Sequence, residues 1–70
     1  MGLIRDMKDV RDLLKGFGTV IYTGDRLADL EMMEEELQEL QRAGVLESDI
    51  YIKAVSVLNR EKKKWDHPQG

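Results

Sequence analysis

Few side chains in this sequence are of the kinds that catalyse reactions. The 70 residues include no cysteine and a single histidine, His67, close to the C-terminus. Ser48 and Ser56 therefore have only that histidine as a base for nucleophilic catalysis. The carboxylates recur at helical spacing and do not form a calcium-type loop, and zinc sites need clusters of histidine or cysteine. We predict a protein with no enzymatic activity, no metal site and no cofactor.

The basic residues of the N-terminal third indicate a different chemistry, which is the binding of an anion. Lys8, Arg11 and Lys15 lie on one face of a predicted helix, and Arg26 ends a turn that begins near Tyr22. Single-stranded nucleic acid is bound by cations that follow its phosphates and by aromatic rings that stack on its bases. The predicted site for nucleic acid or another anion comprises Lys8, Arg11, Lys15, Tyr22, Gly24 and Arg26.

Two observations weigh against this interpretation. The chain carries a net charge of −3, which repels a polyanion unless the basic face points away from the acidic part of the molecule. A stripe of basic residues is also most often a solvated helix face without a ligand. Gly24 and Arg26 lie where N–H groups at a helix N-terminus attract phosphate, but Asp25 competes for those groups as the helix cap. Both interpretations stay open.

The predicted site surrounds residues 16–26, the part of the chain without a helical pattern. Gly16, Gly18 and Gly24 fall within nine positions and enclose a β-branched run, so both backbone entropy and restricted rotamers oppose a helix. No second β-rich segment is present to pair with Val20 and Ile21, and a lone strand leaves its backbone groups without partners. We predict an ordered apolar connector between two helices.

Apolar residues at 3.6-residue spacing predict three helices, at about 6–15, about 26–43 and from 48 onward. Asp6, Asp25 and Ser48 are the predicted N-caps, and Gly44 is the predicted stop of the second helix. The predicted core faces comprise Met7, Val10, Leu13, Leu14 and Phe17; Leu27, Leu30, Met33, Leu37 and Leu40; and Ile50, Tyr51, Ala54, Val55, Val57, Leu58 and, if the third helix extends that far, Trp65. The carboxylates of the second helix, Asp29 among them, are expected on its solvated side.

Length and charge bound the architecture. A chain this short forms one domain, and its core supplies only ~3–5 kcal/mol of net stability. We assign residues 1–64 to this domain and residues 65–70 to a flexible tail. Residues 25–49 contain nine acidic and two basic residues between two net-basic segments, which favours antiparallel helices held partly by opposite charge. No apolar run reaches the ~18–20 residues of a membrane span and no signal segment is evident, so we expect a cytoplasmic protein.

One group of motifs resembles a known family. The run Ile21-Tyr22-Thr23-Gly24-Asp25-Arg26, with Leu13-Leu14-Lys15 and Gly18 before it and Asp29-Leu30-Glu31-Met32-Met33, Glu36-Leu37 and Gly44-Val45-Leu46 after it, resembles the YqgQ-like family. These are small, uncharacterised cytoplasmic proteins of Gram-positive Firmicutes. The resemblance implies a compact three-helix domain and a proposed ability to bind single-stranded nucleic acid. It implies no catalytic residues.

The sequence and the resemblance together predict an all-α three-helix bundle that binds single-stranded DNA or RNA at the six-residue site and does not enter a membrane. The alternative is a protein-interaction or self-association module that uses the acidic face of the second helix. Met32 and Ile52 motivate this alternative, because both apolar side chains lie off the predicted core faces.

Overall fold

The protein is an all-α three-helix bundle, as the sequence predicts. A computed structural model describes residues 4–65 of the chain. The helices are α1 (Met7–Gly16), α2 (Arg26–Arg42) and α3 (Ser48–Trp65), and no strand occurs between residues 4 and 65. Residues 17–25 form the ordered connector between α1 and α2. The bundle is elongated, with extents of 40 × 21 × 20 Å.

Aspartate side chains cap the first two helices, which confirms both predictions. The Asp6 carboxylate accepts a hydrogen bond of 3.1 Å from the N–H of Asp9. The Asp25 carboxylate accepts from the N–H groups of Leu27 at 3.1 Å and Ala28 at 3.4 Å. These bonds satisfy donors that have no carbonyl partner in the first helical turn.

The cap predicted for α3 is wrong by one residue. The first backbone hydrogen bond of this helix runs from the N–H of Tyr51 to the carbonyl of Glu47, at 2.9 Å. Because the capping residue is the one whose carbonyl accepts that first bond, Glu47 holds the cap position and Ser48 is the first helical residue.

Both α1 and α2 end in a glycine with a left-handed backbone. Gly18 has a φ of 86° and Gly44 a φ of 80°, a conformation that costs other residues about 1–2 kcal/mol. The following N–H group then bonds back to the last turn, from Thr19 to Leu14 at 2.9 Å and from Val45 to Leu40 at 3.1 Å. Both ends are Schellman motifs, and the prediction for Gly44 is confirmed.

The core lies between the three helices, and α2 packs most extensively against α3. All three predicted apolar faces contribute to it. The buried apolar residues are Val10, Leu14, Leu30, Met33, Leu37, Leu46, Ala54, Val57 and Leu58. Leu46, in the short loop between α2 and α3, adds to this core, whereas its neighbour Val45 is exposed.

Phe17 departs from the predicted core, because it is 41% exposed. The prediction extended the helical spacing of α1 to residue 17. In the structure Phe17 is the C-cap, and its backbone angles of −97° and 8° already leave the helix. Its side chain therefore does not follow the stripe formed by Val10 and Leu14.

Opposite charges contribute one described link between helices. Lys62 of α3 forms an ion pair and hydrogen bond with Glu34 of α2, and both side chains are about three-quarters buried. Within residues 4–65 the other side-chain ion pairs join residues three or four positions apart. Such local pairs at the surface contribute little to stability, because water and salt screen their charges.

None of the three described helices combines the length and the apolar character needed to cross a bilayer. The tail predicted at residues 65–70 lies outside the described residues from position 66 onward, including His67 and Pro68. Trp65, the first residue assigned to that tail, lies within the described residues and is the last residue of α3.

Candidate functional site

The connector is fixed to α2 by a buried carboxylate. Asp29 is 7% exposed, although it lies on the most acidic helix of the chain. One of its carboxylate oxygens accepts two hydrogen bonds from Thr23, at 2.7 Å from the backbone N–H and at 2.6 Å from the hydroxyl. The Thr23 hydroxyl also accepts from the N–H of Asp25 at 3.2 Å. These bonds hold the turn that precedes α2.

The expectation that Asp29 is solvated is therefore wrong. The sequence does carry a signal for its burial, because Asp29 lies four positions before Met33 and next to Leu30 on the apolar stripe. A carboxylate on that stripe needs hydrogen-bond donors, and the connector supplies them. Its place in the first turn of α2 is also favourable, since negative charge is stabilised near a helix N-terminus.

A groove of about 870 Å³ opens between the connector, α1, the N-terminal half of α2 and the end of α3. We call it the connector groove. It is lined by Arg11, Val20, Ile21, Tyr22, Gly24, Asp25, Arg26, Leu27, Asp29, Met33 and Trp65. Four of the six predicted site residues thus share one concave surface. Tyr22 is 85% exposed there, so its ring is open to a ligand.

The remaining two predicted residues lie elsewhere. Lys15 lines a smaller adjoining pocket of about 280 Å³, which it shares with Arg11. Lys8 lines neither of these cavities. Its ammonium group instead lies 2.9 Å from the carboxylate of Asp12, and this hydrogen bond raises the pKa of Lys8 above its usual value.

Within residues 4–65 the cations at the two cavities, Arg11, Lys15 and Arg26, form no ion pair. Arg11 and Lys15 are exposed, and Arg26 is half-buried. An unpaired guanidinium offers planar donors that match phosphate oxygens. The positive charge of Arg11 and Lys15 is therefore available to an anionic ligand, whereas the charge of Arg26 is shared with the neighbouring carboxylate of Glu61.

Two carboxylates also line the groove, but their oxygens already have donors. Asp25 accepts from the N–H groups of Leu27 and Ala28 as the cap of α2. Asp29 accepts from Thr23. The cap does occupy the N-terminus of α2, so the phosphate site considered there is blocked and an anion would contact the arginines instead.

Trp65 lines the groove instead of joining the core face of α3, where the sequence placed it, and it is 48% exposed. The guanidinium of Arg26 lies 5.2 Å from the centre of its ring, which is within cation–π range. Its indole N–H donates to the carboxylate of Glu61 at 3.3 Å. Residues 26 and 65 are far apart in sequence, and only the packing of α3 along α2 brings them together.

Glu61 is held ionised by these neighbours. Partial burial by itself raises the pKa of its carboxyl group, but the hydrogen bond from Trp65 and the charges of Lys64 and Arg26 outweigh it. The net effect is a pKa below the usual value for glutamate. A negative charge therefore stays beside the Arg26 and Trp65 pair at neutral pH and fixes the orientation of the indole.

Sequence comparison relates this chain to a protein family. The model of the YqgQ-like family matches residues 4–64, which is most of the chain. The chain belongs to the YqgQ-like family. A relative from Bacillus subtilis (strain 168), the uncharacterized protein YqgQ, is 42% identical over 53 residues. That alignment covers 76% of this chain and 75% of the relative.

The YqgQ-like match includes the whole connector and nearly the whole groove. All six predicted site residues fall between residues 4 and 64. Trp65 lies one position beyond the last matched residue. Within the described part of this YqgQ-like chain, no group of three or more histidine, cysteine, aspartate or glutamate side chains is arranged to hold a metal ion.

Proposed function

We propose that this protein binds single-stranded nucleic acid in the connector groove, without catalysing a reaction, in the cytoplasm. The observation that carries the proposal is that Arg11 and Arg26 line one groove with the exposed ring of Tyr22, and that neither arginine forms an ion pair within residues 4–65. Cations beside an open aromatic ring are the elements from which single-strand sites are built.

The distribution of charge supports this proposal despite the net charge of −3. The acidic residues of α2 that are exposed, such as Glu31, Glu35 and Glu39, are absent from the lining of the connector groove. The two carboxylates that do line it accept internal hydrogen bonds. Arg11 and Arg26 balance the charges of these two carboxylates, and the adjoining Lys15 adds a further positive charge along α1.

Fluorescence anisotropy of a labelled oligonucleotide tests the proposal. If Arg11, Lys15 and Arg26 each neutralise one phosphate, the logarithm of the binding constant falls against the logarithm of salt with a slope of about −2, because each contact contributes about −0.7 for single strands. Arg11→Ala should weaken binding to every sequence tested and make the slope shallower by about 0.7.

Lys8→Ala is the matched control, since it removes the same charge from the same helix. Lys8 lies outside both cavities and is paired with Asp12, so this variant should bind nearly as well as the wild-type protein. Equal losses for Lys8→Ala and Arg11→Ala would show only general electrostatic attraction. An absence of binding at low salt to both DNA and RNA oligonucleotides would refute the proposed function.

A second candidate function, protein interaction or self-association, is favoured by a separate surface on α2. Met32 is 44% exposed and lines a groove of about 590 Å³. The other lining residues are Thr19, Ile21, Glu35, Glu36, Gln38 and Glu39. Ile52 lies in a different groove, on α3, that shares no lining residue with this one. Met32 and Ile52 therefore do not form a single patch.

Light scattering after size exclusion tests this second function for self-association. If the α2 groove joins two copies, the wild-type protein should have twice the mass of the monomer, and Met32→Glu should shift it to monomer. Ile52→Glu is the control, because it places the same charge at the separate groove. If the wild-type protein is a monomer at all concentrations, self-association is refuted and the partner must be a different protein. A pull-down that compares the wild-type protein with Met32→Glu tests for such a partner.

A further inference from the structure

We propose that Trp65 belongs to the nucleic-acid site and stacks on a base of the bound strand. This inference rests on the proposed function and adds to it a binding residue from the end of α3. Trp65 is the only tryptophan in the chain, and it follows directly after the region matched by the family model. It therefore gives this chain a binding element outside the matched region.

The burial of Trp65 indicates a surface role. The side chain is 48% exposed and is not among the residues that form or surround the core. An indole is a large apolar ring, and half of that surface is left in contact with water. It lines the connector groove together with Tyr22 and Arg26, and it therefore borders the cavity in which the strand is proposed to lie.

The ring is held in place before any ligand arrives. Arg26 lies over it, 5.2 Å from its centre, and Glu61 accepts its N–H at 3.3 Å. A side chain that is already fixed loses less conformational entropy when a ligand binds, and this favours affinity. Because Arg26 lies over one face of the ring, a base would stack on the opposite face.

The chemistry of the pair explains why the occupant is a nucleic-acid strand. Every base has a π-face, so an aromatic ring accepts any base, and the adjacent guanidinium supplies the complementary charge for the backbone. Tyr22 supplies a second exposed ring in the same groove. The groove thus presents two aromatic rings and two arginines to one ligand.

Affinity measurements on the full chain test the role of Trp65. With a labelled oligonucleotide, Trp65→Leu should weaken binding by about 5- to 150-fold, the range expected for loss of one stacked base. Trp65→Phe keeps an aromatic ring and should lose less. Ile52→Ala is the control, because it also removes an exposed apolar side chain from α3 but lies outside the groove. Circular dichroism establishes that each variant retains its helical content.

Two further measurements separate stacking from other contacts. Because Trp65 is the only tryptophan, its fluorescence should be quenched by an unlabelled oligonucleotide with the same affinity that anisotropy gives. An oligonucleotide of equal length with abasic sites keeps the phosphates but removes the bases. The wild-type protein and Trp65→Leu should bind this abasic probe equally.

The outcomes distinguish the inference from the function on which it rests. If the wild-type protein binds no oligonucleotide, the proposed function fails and the inference fails with it. If the wild-type protein binds and Trp65→Leu binds equally well, Trp65 is not part of the site, although the function stands. Unquenched fluorescence, or a loss in Trp65→Leu that persists on the abasic probe, would overturn base stacking.

Discussion

Asp29 joins the structure of the connector to the geometry of the groove. Its carboxylate is the only charged group among the residues classed as buried in the described chain, and it accepts both polar hydrogens of Thr23. Because Thr23 lies between Tyr22 and Gly24, these two bonds fix the part of the connector that lines the groove. A single carboxylate thereby positions residues that it does not itself contact.

Asp29→Ala should lower the free energy of unfolding by about 1–3 kcal/mol, because it removes two hydrogen bonds to a carboxylate. Asp29→Asn keeps one acceptor and should lose less. Urea unfolding followed by circular dichroism measures both changes. Glu35→Ala is the control at an exposed position of the same helix, and it should stay within about 0.5 kcal/mol of the wild type. A similar loss for both alanine variants would contradict a specific role for Asp29.

At the scale of the helices, the glycines at the ends of α1 and α2 decide where each helix stops. Gly18 and Gly44 have positive φ, whereas Gly16 lies within α1 with an ordinary helical backbone. A Cβ atom at any of the three positions would meet no atom within 4 Å. Substitution by alanine therefore tests backbone conformation alone, without a steric clash.

Gly18→Ala and Gly44→Ala should each destabilise the protein by about 1–2 kcal/mol, because alanine is strained at positive φ. Gly16→Ala should instead be neutral or raise stability by up to about 1 kcal/mol, since alanine is the better helix former. Thermal unfolding of the three variants measures the contrast. If all three substitutions change the stability in the same direction, the positive φ of Gly18 and Gly44 does not explain the effect of replacing them.

The sequence was sufficient to predict the elements, because their signals are local. Helical spacing, the caps Asp6 and Asp25 and the stop at Gly44 all act within a few residues. Glu47 and Phe17 show the limit of such signals. Which of two adjacent residues caps a helix depends on a single backbone hydrogen bond, and the composition of the segment does not determine that bond.

The groove was only partly predictable for a different reason. Tyr22, Gly24 and Arg26 are close in sequence, and Arg11 shares a helix face with other cations, so local pattern was enough to propose them. Lys8 fits the same pattern, and its spacing of four residues from Asp12 already favours their ion pair, but only the folded structure shows that Lys8 lines neither cavity. Trp65 joins the groove through the tertiary packing of α3, which no local pattern records.

At the scale of the molecule, a small core carries the whole fold. Leu37 is fully buried, and large-to-small substitution of a buried leucine costs about 2–5 kcal/mol. A domain of this size has only about 3–5 kcal/mol in total. Leu37→Ala should therefore leave a substantial unfolded fraction at 37 °C, measured by circular dichroism during heating.

Ile52→Ala is the control for this prediction, because the side chain is 63% exposed and apolar. It should change the unfolding free energy by less than about 0.5 kcal/mol. Equal effects of the two substitutions would contradict a core shared by the three helices. The comparison also matters for the groove, since its walls come from all three helices and the connector and exist only while the bundle is intact.

The unequal packing of the helices has a consequence for slow motions. Since α2 and α3 pack most extensively against each other and α1 packs less against either, α1 is the segment that can detach with the smallest loss of burial. Amide protons in α1 should then exchange with solvent before those in α2 and α3. Arg11 lies on α1, so detachment would dismantle one wall of the groove. A ligand bound there should slow the exchange of the α1 amides selectively, because it binds only the closed form.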